Sequence, residues 1–433
     1  MERIERFFRI REHGTTVGTE LRAGLATFLT MAYILAVNPQ MLSLTGMPVG
    51  DVTVATALGA AVATMLMGIW ANYPVALAPG MGLNAYFTFG VVMGMGVSWQ
   101  VALTAVFVEG LIFIGLSFGG IRTALIRAFP ASIRLATAGG IGLFLALIGM
   151  KSAGLVVANE ATLVALGDLR SPQVLLSLLG LVGISVMVAA KVKGAILIGI
   201  AAITILAWTL GLAPAPEGIF SLPSLPETTF WAFDWSQVLT AKFFTVVFAF
   251  LFVDIFDTAG TLLGVGRLGG LLTPQGELPR ASKAFASDAV GTSVGAIFGT
   301  STVTSYVESG AGVEEGGRTG LTAVTVGVLF LLALFFVPVI VAVPAIATAP
   351  ALIVVGAMMV GAIKDLDWKS MDEAIPAFLT IVMMPFTYSI AHGIVFGLVS
   401  YVLVKALAGK WKDLNPMLVG VAVVLAVYYA FLK

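Results

Sequence analysis

No cysteine occurs among the 433 residues, which excludes a disulfide framework, thiol catalysis and a cysteine metal site. Histidine is nearly missing as well: there are two, and His392 is the one outside the N-terminal arm. Charge is also scarce. Charged residues make up 11% of the chain, where ordinary soluble domains carry about 25%. Lys plus Arg balances Asp plus Glu at 23 each, and this zero net charge argues against nucleic acid as a partner. What fills the chain instead is apolar: 59% of residues are hydrophobic and the mean hydropathy is +1.04.

A helix needs about 20 apolar residues to cross a bilayer. Runs of that kind recur along almost the whole sequence, including Leu21 to Leu42, Val101 to Phe118, Leu175 to Ala190 and Leu321 to Val343. The chain reads as an all-α polytopic membrane protein embedded in a lipid bilayer, with no sizeable soluble domain. Its first residues, MERIERFFRIREHGTT, are charged and amphipathic and lack the apolar core and cleavage site of a signal peptide. They are expected at the cytoplasmic surface.

Fourteen spans are expected, at 20–43, 52–71, 75–93, 99–119, 131–150, 173–190 and 194–211, then 239–264, 283–299, 302–313, 319–343, 348–363, 374–390 and 391–408. A further apolar run covers 415–432. Positive residues concentrate in short cytoplasmic loops. With the N-terminus inside, Arg122, Arg127 and Arg134, Lys191 and Lys193, Arg267, Arg280 and Lys283, Lys364 and Lys369, and Lys405, Lys410 and Lys412 all fall on that side. The loop from Ala213 to Gln237 has no Lys or Arg, and its Trp231 and Trp235 suit an outer interfacial belt.

The halves echo one another. KGAILIGI from Lys193 resembles HGIVFGLV from His392, and the third span of each half is short and glycine-rich: APGMGLNAYF from Ala78 and GTSTVTSYVE from Gly299. Because seven is odd, the second half enters from the opposite side. Paired short, Gly-interrupted segments in an inverted repeat point to a binding site at the membrane midplane. The expected organisation is a cytoplasmic arm (1–18), a first seven-helix repeat (19–212), an outer loop (213–238), a second, inverted repeat (239–410) and an extra apolar helix (411–433).

Ionised side chains are costly inside a bilayer and mark function by default. Four carboxylates stand out: Asp254, Asp257, Glu308 and, more weakly, Glu109. Asp254, Asp257 and Thr261, spaced i, i+3 and i+7, form a polar stripe on one helix face. Each carboxylate has a plainer role open to it, as a hydrogen-bond partner for broken backbone in a neighbouring helix. Around Glu308, small polar residues and glycines suggest non-helical backbone, which is tolerated at membrane depth only where protein or a wet cavity satisfies it. A carboxylate lining such a pocket has access to protonation near neutral pH, as proton coupling requires. Gly80, Gly82 and Asn84 supply the opposite wall: glycine permits close approach to the backbone, and Asn both donates and accepts. Packing of helices through small residues is the competing explanation for the glycines.

Two enzyme-like motifs carry no weight. GTSVG at Gly291 falls inside an expected span rather than at a strand-to-helix elbow. GVGRLGG at Gly264 lacks a preceding strand. His392 starts a span, as a helix-start residue does.

ALAPGMGLNAYF in span three, FVDIFDTAGTLLG in span eight and TSYVESGAGVEEGGRTG in span ten resemble the nucleobase–ascorbate transporter superfamily, and within it the AzgA-like purine permease branch. The resemblance covers about Thr16 to Lys410. It implies two inverted seven-helix repeats divided into a core domain (spans one to four and eight to eleven) and a gate domain (the rest), with substrate between spans three and ten and against span eight. It implies substrate binding by Glu308, Asp257, Asn84, Gly82, Tyr306, Thr261 and Ser309, and proton coupling through Glu308, Asp257 and Asp254. Ser309 stands where uracil and xanthine members typically have Asn, and Thr261 where uracil members can have His, departures that favour purines. The resemblance also implies secondary active import of adenine, guanine or hypoxanthine by proton symport across the plasma (bacterial inner) membrane, with no cofactor, and it is compatible with a homodimer.

The residues themselves support the substrate class. A neutral planar base needs edge partners and an apolar slot; carboxylates accept from ring N–H and exocyclic NH₂, and Phe87, Phe89, Phe250, Phe252 or Phe256 can form the slot. An anion carrier of the same fold would place a cation near the half-helix ends, and a uracil or xanthine permease is a second alternative. A membrane-embedded enzyme would release its ligand chemically changed, whereas a passive channel would not accumulate it.

Overall fold

Each expected span has a helical counterpart in the computed structural model, which describes residues 2–118, 129–275 and 277–431. Arg122 and Arg127, assigned above to a cytoplasmic loop, lie outside the described residues. The arm forms α1 (Glu2–Phe8), and Phe8 and Ile10 are buried against Leu321. The first span is broken, with α2 (Val17–Met31) and α3 (Ile34–Ser43) meeting at Ala32 and Tyr33. Next, α4 (Val49–Leu66) runs into a π-helical turn ending at Ala71. The third span is not a simple helix: it opens as β1 (Leu77–Pro79) and continues through α5 (Met81–Ala85) into π-helical backbone over Tyr86–Gly94. The first half is completed by α6 (Trp99–Ser117), α7 (Ala131–Ser152), α8 (Pro172–Ala189) and α9 (Ala195–Thr209). An exposed hairpin of β2 (Val156–Asn159) and β3 (Leu163–Leu166), not anticipated from the sequence, joins α7 to α8.

The second half repeats the plan. After α10 (Ala241–Leu268) and α11 (Ala281–Phe298), the tenth span opens as β4 (Val303–Ser305) and becomes the short α12 (Ser309–Glu314). There follow α13 (Gly320–Ala333), α14 (Val337–Val341), α15 (Ala345–Val360), α16 (Met371–Thr387), α17 (Ile390–Leu407) and the extra helix α18 (Pro416–Phe431). Among the described residues, nine helices are long and apolar enough to cross a membrane, and shorter apolar helices occupy other expected positions. Five helices start where the sequence supplies an acceptor. Thr16, Ser98, Thr240, Thr319 and Ser389 each accept from a backbone N–H in the first turn.

The helices pack in two groups. One joins α2, α4, α6, α10, α11 and α13 around the paired strands β1 and β4; the other joins α7, α8, α9, α15, α16 and α17. The pairing of β1 with β4 follows from depth. Extended backbone in hydrocarbon has no water to bond, so each segment must find its partner inside the protein. The ladder supplies it, at the place where the inverted halves meet.

Candidate functional site

The strands run antiparallel with Leu77 opposite Ser305, Ala78 opposite Thr304 and Pro79 opposite Val303. Pairing continues outward, from Gly80 N to Thr302 O at 3.0 Å and from Tyr306 N to Ala76 O at 2.9 Å. A Cβ on Gly80 would lie 2.7 Å from Thr304 Cγ2, so the crossing is closed to any larger residue. Each strand hands over directly to a half-helix, and Glu308 stands immediately before α12.

Glu308 Oε1 accepts a hydrogen bond from Tyr33 Oη at 2.8 Å, and Thr30 Oγ1 reaches the Glu308 carbonyl at 3.4 Å. Tyr33 is almost fully buried at the break between α2 and α3. It was not singled out from the sequence, where its signal was faint: one hydroxyl-bearing aromatic within a long apolar run. Asp257 on α10 is exposed, while Asp254 and Thr258 on that helix are buried. The Glu308 charge acts on Asp257, and the Tyr306 hydroxyl, which donates to Pro79 O at 2.6 Å, feels both. Gly260 and Gly264 continue the exposed face of Asp257 at i+3 and i+7, with nothing within 4 Å of either Cβ position. The approach to Asp257 is therefore unobstructed.

Other expected residues are buried against protein. Ser309 is buried and its hydroxyl accepts from Ala76 N at 3.0 Å, tying α12 to the residue before β1. Thr261 is buried one turn beyond Asp257. Asn84, expected at the substrate's edge, is fully buried and engaged at both ends of its amide: Ser301 Oγ donates to Oδ1, and Nδ2 lies 3.4 Å from Pro79 O. It braces the strand crossing. Gly82 meets protein, since a Cβ there would sit 2.6 Å from Ile141 Cγ2 on α7. The half-helix of span three thus touches the other helical group at that glycine. Of the five phenylalanines considered for the slot, Phe87, Phe89, Phe250 and Phe252 are buried, and Phe256, beside Asp257, is half-buried. Phe256 packs edge-on to Phe252 and Phe129 and carries the Arg134 guanidinium over its ring at 5.7 Å.

Asp288 on α11 was missed, although a carboxylate inside an expected span is the signal that singled out Asp257. It is fully buried and accepts from Thr258 Oγ1 at 2.8 Å and Ser305 Oγ at 2.6 Å, bridging α10 to β4. Among the described residues no Lys or Arg forms an ion pair with Asp254, Asp257, Asp288 or Glu308. GTSVG lies within α11, and GVGRLGG begins in the last turns of α10 with no strand before it, so neither has an enzyme's geometry.

Residues 18–396 match the model described as Permease family. The chain belongs to the nucleobase–ascorbate transporter family of permeases. It is 49% identical over 433 residues to a putative permease of Methanocaldococcus jannaschii, covering 100% of this chain and 99% of the relative. It is 45% identical to the guanine/hypoxanthine permease PbuO of Bacillus subtilis (96% of this chain, 98% of the relative) and 43% identical to the adenine permease AdeP of Escherichia coli (99% and 96%). In fold it is similar to the transmembrane domain of the cyanobacterial bicarbonate transporter BicA, with a TM-score of 0.67 at 18% identity over 87% of this chain and 97% of that one. The permease is an integral membrane protein that moves a small molecule across the bilayer and is not an enzyme.

Proposed function

We propose that this permease imports a purine nucleobase, adenine, guanine or hypoxanthine, together with a proton. The base lies in the crevice between Asp257 and Glu308, and the helical group carrying the strand crossing moves against the other to expose that crevice to each side in turn. The observation that carries this reading is the nearness of Asp257 and Glu308: the Glu308 charge acts on Asp257, Tyr33 donates to Glu308, the Tyr306 hydroxyl feels both, and among the described residues no Lys or Arg forms an ion pair with either. Carboxylates accept from the N–H edge of a purine. Two of them beside a neutral ligand repel one another until a proton enters, and this ties the base to the proton. The glycines of α10 leave room for a flat ligand, and the half-buried Phe256 offers an apolar face next to Asp257.

Relatives named as guanine/hypoxanthine and adenine permeases support the purine reading. The fold is shared with bicarbonate and SLC26 anion transporters, but an anion placed between Asp257 and Glu308 would be repelled. Proton symport requires a membrane that carries a proton gradient, such as the bacterial inner membrane, and the basic loops favour an N-terminus on the cytoplasmic side. The test is uptake of labelled adenine, guanine, hypoxanthine and uracil into cells expressing the chain. Purine accumulation that collapses with a protonophore supports the proposal, and sulfate or bicarbonate exchange without purine uptake overturns it.

A further inference from the structure

We propose that Glu109 and Asp254 hold one proton between them, forming a proton-binding site inside the membrane that is separate from the crevice carboxylates. Glu109 on α6 is completely buried, and neither of its oxygens meets a donor. Its carboxyl lies within hydrogen-bonding reach of that of Asp254 on α10. Asp254 is equally buried, and the Thr304 hydroxyl that comes within reach of its carboxyl also has Thr258 Oγ1 at 2.9 Å. Its Oδ1 meets no donor, and its Oδ2 has the Thr292 hydroxyl at 3.3 Å, which lies closer, at 2.9 Å, to Val303 O. A threonine hydroxyl has one proton to donate, and the shorter contact takes it.

The surroundings supply no positive charge. The titratable groups acting on the pair are Asp288 on α11 and Asp257 on α10, both acids. Among the described residues no Lys or Arg forms an ion pair with any of these four carboxyls. Gly110, the residue after Glu109, sets α6 close against α11: a Cβ there would sit 2.9 Å from Ser293 N. A buried charge without a partner neutralises rather than persists, and two carboxylates in one site do not both ionise. One proton resolves the conflict. The O–H of one acid donates to an oxygen of the other, so the orphaned acceptors serve each other and the pair carries a single negative charge.

Glu109→Gln tests the proposal, because an amide N–H takes the place of the shared proton and donates to Asp254 permanently. Infrared difference spectra of the purified wild-type and Glu109→Gln proteins at neutral pH are expected to show the loss of one carboxylic-acid C=O band. Thermal unfolding provides a second readout. A proton held in the folded state and released on unfolding makes wild-type stability fall as pH rises toward the point where the folded pair gives it up. In Glu109→Gln the fall is smaller by one proton. Neither readout involves a substrate, so both stand whatever the permease carries. If Glu109→Gln cannot be recovered from membranes, Asp254→Asn should lose the same single band. A difference spectrum showing only the loss of an ionised carboxylate, or identical slopes of stability against pH, overturns the proposal.

Discussion

Tyr33 donates a hydrogen bond of 2.8 Å to Glu308 Oε1 and so joins the break in the first span to the start of α12. The bond fixes the carboxylate's rotamer and leaves its second oxygen for a ligand. A hydrogen bond to a charged group contributes about 1.5–3 kcal/mol, and about 1.4 kcal/mol is a factor of ten in affinity. Tyr33→Phe is therefore expected to raise the apparent KM for the transported base roughly tenfold or more, with normal abundance at the membrane. Uptake kinetics with a surface-expression control check this, and an unchanged KM would show that Glu308 is oriented without Tyr33.

Asp257→Asn preserves shape and removes the charge at the open end of the polar stripe. Weaker substrate affinity and loss of accumulation against a gradient are expected, while equilibrative exchange of labelled base persists. Normal affinity and accumulation in Asp257→Asn would remove this residue from the site.

Gly82 lies where a Cβ would come within 2.6 Å of Ile141 Cγ2, and overpacking of this kind costs about 1–3 kcal/mol. Gly82→Ala should lower the transport rate at least severalfold by wedging the third span away from α7. Ile141→Val or Ile141→Ala in the same chain should restore part of it. No recovery in the double variant would mean that Gly82 serves the ligand rather than this contact.

Asp288→Ala removes the acceptor of two buried hydroxyls, from Thr258 and Ser305. Thr258 keeps Thr304 Oγ1 at 2.9 Å, but Ser305 is left without its acceptor, and a buried group left unsatisfied costs about 1–3 kcal/mol, so the melting temperature should fall and transport should be lost together. Asp288→Asn retains one acceptor oxygen and should recover more stability than activity. A stable, fully active Asp288→Ala would remove this residue from the account.

The number and order of spans were legible because they follow from apolar run length, and the special character of spans three and ten showed in their glycines and small polar residues. What those residues build was not legible. That Leu77–Pro79 and Val303–Ser305 form strands depends on their meeting each other, a contact across more than two hundred residues that no local period encodes. The same limit applied to the site. Asp257 and Glu308 announce themselves as charges in apolar runs, but whether Asn84 faces a ligand or Ser301 is decided by a partner in the other half of the chain. Gly82 could be read as an opening for substrate until Ile141 was found against it. Tyr33 was hidden for the opposite reason, since a tyrosine in an apolar helix is unremarkable until its hydroxyl finds a carboxylate.

The central claim is that Asp257 and Glu308 bind a neutral purine and a proton in one crevice. Its most direct test is proton movement on substrate addition, in proteoliposomes containing the purified permease and an internal pH-sensitive dye. Adenine, guanine or hypoxanthine should acidify the lumen of wild-type vesicles, uracil and sulfate should not, and Glu308→Gln vesicles should give no signal. Purine entry driven by a sodium gradient with no acidification would contradict the proton, and acidification undiminished in Glu308→Gln would contradict the site.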